Sequence, residues 1–311
     1  MQLQATKLWL KFQSFLTLRQ LFNPVPPIAP LPPYLQHKYD GWSLDDRDPW
    51  AIREVLMPLW KWLYQYYFRV QTDGWEHLPP QGRMLVVGSH NGGLAAPDMF
   101  MLMYDWFERY GTERPAYGLA HPDVWKYFGP TAKLAARAGA IVAHPKMAIA
   151  ALQQDATVLV YPGGAEDIFR PYSQRHRIQL AGRKGFIKVA LRERAPIVPV
   201  VSVGAHEGLI VLTDLYPILE RLHDFGMPWL FGIDPNVFPI YLGLPWGIGI
   251  GPLPNLPLPT QIQIRICEPI EFERSGRSAA IDRDYVDACY DRVEAQMQAE
   301  LDRLVRESVD S

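Results

Sequence analysis

Cysteine is nearly missing: 311 residues hold only Cys267 and Cys289, and these lack CxxC spacing. Neither a zinc site nor a disulfide framework is expected, and a reducing compartment fits best. An excess of charge of one sign is missing too. Lys and Arg total 31 against 33 Asp and Glu, a formal net charge of -2, so nothing attracts the whole chain to nucleic acid or to an anionic surface. No nucleic-acid partner is expected. Long apolar runs are absent, since no stretch of about 18 residues escapes charge, proline or glycine, and no spanning helix is predicted. The nearest candidate, residues 229–250, is broken by Asp234, Pro235, Pro239 and Pro245. Several catalytic signatures are absent as well. Val200-Val201-Ser202-Val203-Gly204 lacks the first glycine of a G-x-S-x-G elbow. Neither GxxxxGK[ST] nor GxGxxG follows a strand. His121, His144, His176 and His206 lack HExxH-type spacing, so no metal site and no resident cofactor are expected.

The chain is rich in apolar and aromatic residues, at 48% and 12%, with 10 Trp and 29 Pro. A chain of this length buries a full core without metal or disulfide, and tryptophan suits apolar-polar boundaries such as a lipid surface. Leu8, Phe12, Phe15, Leu16 and Phe22 fall near helical spacing among Lys7, Lys11 and Arg19. They predict a basic amphipathic helix that lies in a membrane surface or packs on the domain. A secretory signal fits poorly, because charges interrupt the stretch; an organellar transit peptide stays open. Residues 23–34 are proline-dense and read as a stiff spacer. Residues 1–50 are therefore taken as an amphipathic helix plus linker, and 51–311 as the catalytic domain.

Within that domain, 51–68 predicts a helix crowded with Trp60, Trp62, Tyr64, Tyr66, Tyr67 and Phe68, and 69–75 a strand. Strands are predicted at 84–87, 116–120, 140–143, 157–161 and 197–203, alternating with helices at 99–110, 131–138, 146–153 and 184–194. This alternation predicts an α/β fold with a mostly parallel central sheet flanked by helices. Residues 205–260 break the pattern with nine prolines and several aromatics and read as a functional cap. Strict alternation over 261–272 predicts another strand, and a final helix spans about 282–307, with Val286, Cys289, Val293, Met297 and Leu301 as its buried stripe.

The chemistry concentrates at two junctions between a strand and a glycine turn. His90-Asn91-Gly92-Gly93 follows the strand at 84–87, with a helix from Leu94 onward whose first turn suits Pro97 and Asp98. Tyr161-Pro162-Gly163-Gly164-Ala165-Glu166 follows the strand at 157–161. In a parallel sheet both emerge at one edge, where open α/β folds place reactive groups. His90 can take a proton near neutral pH, and Asp98 is the candidate to fix its tautomer. Glycine lets backbone N–H groups approach a developing oxyanion. Such a pairing suits acyl transfer from a thioester to an acceptor hydroxyl. Arg170, Arg175, Arg177, Arg183 and Lys184 read either as a solvated basic loop or as an anion cradle. His206-Glu207 reads as a structural pair beside the cleft.

The order of these pieces resembles the glycerolipid acyltransferase superfamily, in particular its type-2 diacylglycerol acyltransferase and phytyl ester synthase-like branch. The resemblance spans 70–272. It runs through Trp75-Glu76-His77-Leu78-Pro79, Met84 to His90, Val160 to Glu166, Arg183 to Leu191, Ala195 to Gly204, Leu258-Pro259-Thr260 and Glu268-Pro269-Ile270. It implies that His90 is the general base and that Gly163 and Gly164 with Glu166 help form the acyl or acceptor site; Asn91, Gly92, Gly93, Arg183 and Lys184 are further candidates, from the two junctions themselves, for binding substrate or the oxyanion. The implied co-substrate is acyl-CoA or acyl-ACP, and the implied partners are a lipid acceptor and a membrane surface. A peripheral location on the cytoplasmic side is expected, with an organellar membrane left open.

Two departures from the family pattern stand out. The acid usually found five residues after the histidine is here Ala95, which leaves Asp98 or a backbone carbonyl to orient His90. The Pro-Glu-Gly-Thr-Arg block of phosphatidate-forming members is Pro162-Gly163-Gly164-Ala165-Glu166, so an acid replaces the arginine expected to hold a phosphate. Like-charge repulsion then favours a neutral acceptor: a diacylglycerol, a prenyl alcohol or a quinol. The alternatives are a lysophospholipid or 1-acylglycerol-3-phosphate acyltransferase, and a non-catalytic lipid carrier.

Overall fold

The computed structural model describes residues 39–127, 129–229 and 234–309. The amphipathic helix and spacer expected before residue 35 lie outside these residues. The compact unit begins at Tyr39, ahead of the boundary expected at 50/51. Asp48 shows why: its carboxylate caps the next helix by accepting from the Trp50 N–H at 2.9 Å, and it pairs with Arg137 at 2.6 Å. That helix, α1 (49–67), is not regular. Pro58 has no N–H and its ring crowds the preceding turn, and around it the ladder loosens to i→i+5, with the Met57 N–H on Ile52 C=O.

The central sheet contains β1 (Gln71–Asp73), β2 (Met84–Gly88), β3 (Ala116–Ala120), β4 (Ala140–Val142), β5 (Thr157–Val160) and β6 (Ile197–Val203). β7 (Ile210–Asp214), β8 (Pro239–Gly243) and β9 (Gly247–Ile250) form a separate antiparallel sheet, and β10 (Gln263–Ile266) returns to the first. The central order is β1-β10-β6-β2-β5-β3-β4. From β6 to β4 every pair is parallel; β10 runs antiparallel to β6, and β1 pairs parallel with β10. The mostly parallel α/β sheet is thus as expected. The strand expected over 261–272 is shorter. Pro269 cannot donate to a ladder, and beyond Ile266 only Ile270 makes a bridge, with Ile197.

Both faces of β2 are buried, which is why its sequence is a continuous apolar run. Leu85 and Val87 pack with α3 (Pro145–Gln153), α4 (Gly185–Glu193) and α5 (Arg283–Val309). Met84 and Val86 pack on the other side against α1 and α2 (Pro97–Tyr110). The cap is the main departure from the sequence reading. Residues expected to lack periodicity form β7 to β9, with the helix Tyr216–Asp224 between β7 and β8. Alternation is masked because Gly249 replaces a side chain: a Cβ there would lie 2.2 Å from the Tyr241 ring. Leu209, Val211, Val237 and Tyr241 make a small core with Phe169, and Leu212, Leu242, Ile248 and Ile250 on these strands stay exposed.

Candidate active site

β2 lies between β5 and β6 and parallel to both, with Val87 opposite Val160 and Gly88 opposite Val200. Their carboxyl ends therefore share one rim, and the chain leaves them as Ser89-His90, Tyr161-Pro162-Gly163 and Gly204-Ala205-His206. Gly88 makes room for Tyr161, since a Cβ at 88 would stand 2.4 Å from that ring. The ring stacks against His90 at 4.4 Å between centroids, with planes 25° apart. Gly92 (φ +76) lets the turn close, because its missing Cβ would lie 2.6 Å from Ala205 C=O. Gly92 C=O accepts from Asn255 of the cap at 3.0 Å, and Gly93 sits against Leu209 and Asn255. The glycines after His90 thus seat the cap on this turn.

The His90 imidazole is half-buried, and its Nδ1 is buried without a partner among the described residues. Burial and the nearby Arg170 cation lower its pKa to about 3, so it is neutral at physiological pH. Asp98 is buried but does not bond the imidazole. Ala96 takes a left-handed conformation (φ 37) and Pro97 starts the helix one residue later. This start turns the carboxylate to Asn91 Nδ2 at 2.8 Å, Ser202 Oγ at 2.7 Å and the Met99 N–H at 2.9 Å. The expected role of Asp98 as tautomer holder is replaced by anchoring of Asn91.

Another acid serves His90. Asp167, fully buried, accepts the His90 backbone N–H and the Ser89 hydroxyl at 2.9 Å, and pairs with Arg170 at 2.7 Å. Arg170, also buried, donates to His90 C=O, to Asn91 Oδ1 and to Arg175 C=O at 3.1 Å. His206 places Nε2 3.0 Å from Arg170 C=O. The pair was legible only as opposite charges three residues apart flanking the apolar Ile168-Phe169; its partners lie far away in sequence.

Gly163 is packed so closely that a Cβ would lie 2.0 Å from Gln179 C=O, and Gly164 (φ +57) faces the Arg183 guanidinium. Arg183 donates to Pro162 C=O at 2.9 Å and to Gly163 C=O, and pairs with Glu166 at 2.8 Å. Lys184 pairs with Asp287 of α5 at 2.7 Å, and Arg175 with Glu207 at 3.4 Å. Of the five cations flagged in the sequence, Arg177 is exposed and the other four are engaged inside the chain. Among the described residues no group of three or more His, Cys, Asp or Glu side chains gathers as a metal would require.

The chain is similar to several known proteins. The family model for diacylglycerol acyltransferase matches residues 139–294, and one for acyltransferase matches 69–203. An uncharacterized protein of Mycobacterium tuberculosis is 32% identical over 282 residues, which is 89% of this chain and 74% of that one. Phytyl ester synthase 2, chloroplastic, of Arabidopsis thaliana is 30% identical over 163 residues, covering 47% of this chain and 22% of that protein. The crystal structure of the 1-acyl-sn-glycerophosphate acyltransferase PlsC from Thermotoga maritima superposes with a TM-score of 0.43 at 15% identity, covering 78% and 79% of the two chains.

Proposed function

Because the chain belongs to the diacylglycerol acyltransferase family of the glycerolipid acyltransferase superfamily, we propose that it moves a fatty acyl group from a thioester of CoA or acyl carrier protein to a neutral lipid alcohol, with His90 as general base. The observation that carries this reading is the neutral imidazole on the shared rim of β2, β5 and β6, stacked on Tyr161.

In the proposed step His90 takes the proton of the acceptor hydroxyl as its oxygen attacks the thioester carbonyl. The tetrahedral intermediate collapses, the carbon–sulfur bond breaks, and the proton passes from His90 to the leaving thiolate. An imidazolium beside Arg170 is costly in the resting site, so proton uptake is favoured only when negative charge builds next to it. The Tyr161 face favours that cation as it forms. Pro162 and Gly163 direct their carbonyls to Arg183. Trans peptide geometry then turns the Gly163 and Gly164 N–H groups away from the guanidinium, as proposed oxyanion donors. Self-paired Arg183, Lys184 and Arg175 favour a neutral acceptor, a diacylglycerol, prenyl alcohol or quinol, over a phosphate-bearing one.

Two apolar surfaces support work at a membrane. Val55, Leu59, Trp62 and Tyr66 form an exposed stripe along α1, and Leu253, Leu256 and the strands of the small sheet are exposed as well. The two meet where Tyr67 Oη donates to Pro257 C=O at 2.8 Å. No helix among the described residues is long and apolar enough to cross a membrane. Purified protein given palmitoyl-CoA and dioleoylglycerol or phytol is expected to release thiol and form ester, and His90→Ala to lose about 10² to 10⁴ in rate. An alanine variant with undiminished turnover would remove the base. Lipid binding without thiol release would favour a carrier.

A further inference from the structure

The imidazole lacks the carboxylate partner that would orient it, and the structure supplies a different device one bond away. The Asp167 carboxylate holds the peptide N–H of His90, and the Arg170 guanidinium holds its C=O. These two side chains pair with each other at 2.7 Å, and neither is more than 4% exposed. Arg170 also holds Asn91 Oδ1, so the turn is fixed at two consecutive residues. We propose that the Asp167–Arg170 ion pair is the positioning device of the site, gripping His90 through both of its peptide groups in place of an acid on its ring. This rests on His90 being the base.

The grip depends on charge. An ionised Asp167 attracts both Arg170 and the His90 N–H; a protonated one loses that attraction to each. The charged and titratable groups that act on this carboxylate or on Arg170 are His90 after β2, Tyr161 after β5, Asp98 at the start of the helix Pro97–Tyr110, His176 in the loop that follows Arg170, and His206 after β6. Glu166 points away to Arg183. Burial raises the Asp167 pKa to about 7, with Arg170, the His90 N–H and the Ser89 hydroxyl favouring the ion and Asp98 opposing it. His90 and His206, lowered to about 3, stay neutral at that pH, and Tyr161 is raised far above it. A loss of activity as pH falls through about 7 therefore belongs to Asp167 and not to the base.

The test uses the full chain with ¹⁵N-histidine, the His90 amide being assigned by its absence in His90→Ala. In the wild type this resonance is expected to shift with a midpoint near pH 7. In Asp167→Asn it stays fixed over the same range. In Ser89→Ala, which keeps the ion pair but removes a hydrogen bond that favours the carboxylate, the midpoint moves up. With palmitoyl-CoA and dioleoylglycerol vesicles, Asp167→Asn is expected to lose about 10- to 100-fold in kcat, as a misplaced base would, with KM for palmitoyl-CoA unchanged. The acid limb of the rate profile is expected to follow the Ser89→Ala midpoint. A wild-type His90 amide that ignores pH, or an Asp167→Asn variant with full kcat, would overturn the proposal. If His90→Ala keeps its turnover the base assignment falls instead, while the amide titration still decides whether the pair holds residue 90.

Discussion

Gly163 has no space for one methyl group. A Cβ would stand 2.0 Å from Gln179 C=O and 2.4 Å from the Asp167 Cβ, and neither neighbour can move without disturbing the grip on His90. Gly163→Ala is expected to cost about 2–4 kcal/mol, read as a lowered urea midpoint, and to reduce activity further through Asp167. Gly185, with nothing within 4 Å and a negative φ, is the control. Alanine there is expected to be neutral or to stabilise by up to about 1 kcal/mol. At this scale the sequence showed the glycines and the histidine, because a strand that runs into a Gly-rich turn exposes both locally. It did not show which acid serves His90. That choice turns on the left-handed Ala96, which swings Asp98 to Asn91 and Ser202, and on Asp167 meeting a turn that precedes it by more than 70 residues.

Among the elements, α1 carries an unusual surface. Ile52, Leu56 and Trp60 are buried, while Val55, Leu59, Trp62 and Tyr66 recur on the opposite side and are each more than 40% exposed. A helix that buries one apolar stripe and exposes another has a second environment to satisfy. Leu59→Ser with Trp62→Ser is expected to weaken association with phosphatidylcholine vesicles about 10-fold or more, since each side chain contributes roughly 1.5–3 kcal/mol when it enters an apolar phase, while the urea midpoint stays within error. Ile248→Ser with Ile250→Ser tests the small sheet in the same way, and a chain lacking residues 1–22 tests the N-terminal segment. Unchanged flotation in all three would remove the membrane reading. The sequence showed the aromatic crowding of α1 but not its division into two faces, because the i→i+5 turns around Pro58 shift the periodicity. The parallel strands were legible from their buried β-branched runs. The small sheet was not, because glycine and proline occupy positions where alternation would have shown.

The whole molecule carries its buried charges into its pH dependence, and the sign can be worked out. His90 and His206 are lowered from 6.5 to about 3, chiefly by burial and then by Arg170. Between those values the unfolded chain binds two protons that the native one does not, so stability rises with pH. Asp167 acts the other way. Its pKa is raised from 3.8 to about 7, so across that window the native chain keeps a proton the unfolded one has lost, and stability falls as pH rises. Where the windows overlap, above about pH 4, Asp98, buried and raised in the same sense, acts with Asp167, so three lowered histidines release protons on folding against two acids that take them up. One net proton sets a rising slope of at most about 1.4 kcal/mol per pH unit. Above the ordinary histidine range, about pH 6.5, only the raised acids still titrate and the slope reverses. Urea denaturation across pH 4 to 8 is the measurement. His206→Asn is expected to flatten the rise, and Asp167→Asn to steepen it and weaken the decline above about pH 6.5. A wild-type profile that falls from pH 4 to 6 would mean that His90 and His206 are not held neutral in the folded chain, and the imidazole would then carry a charge that bars it from accepting a proton.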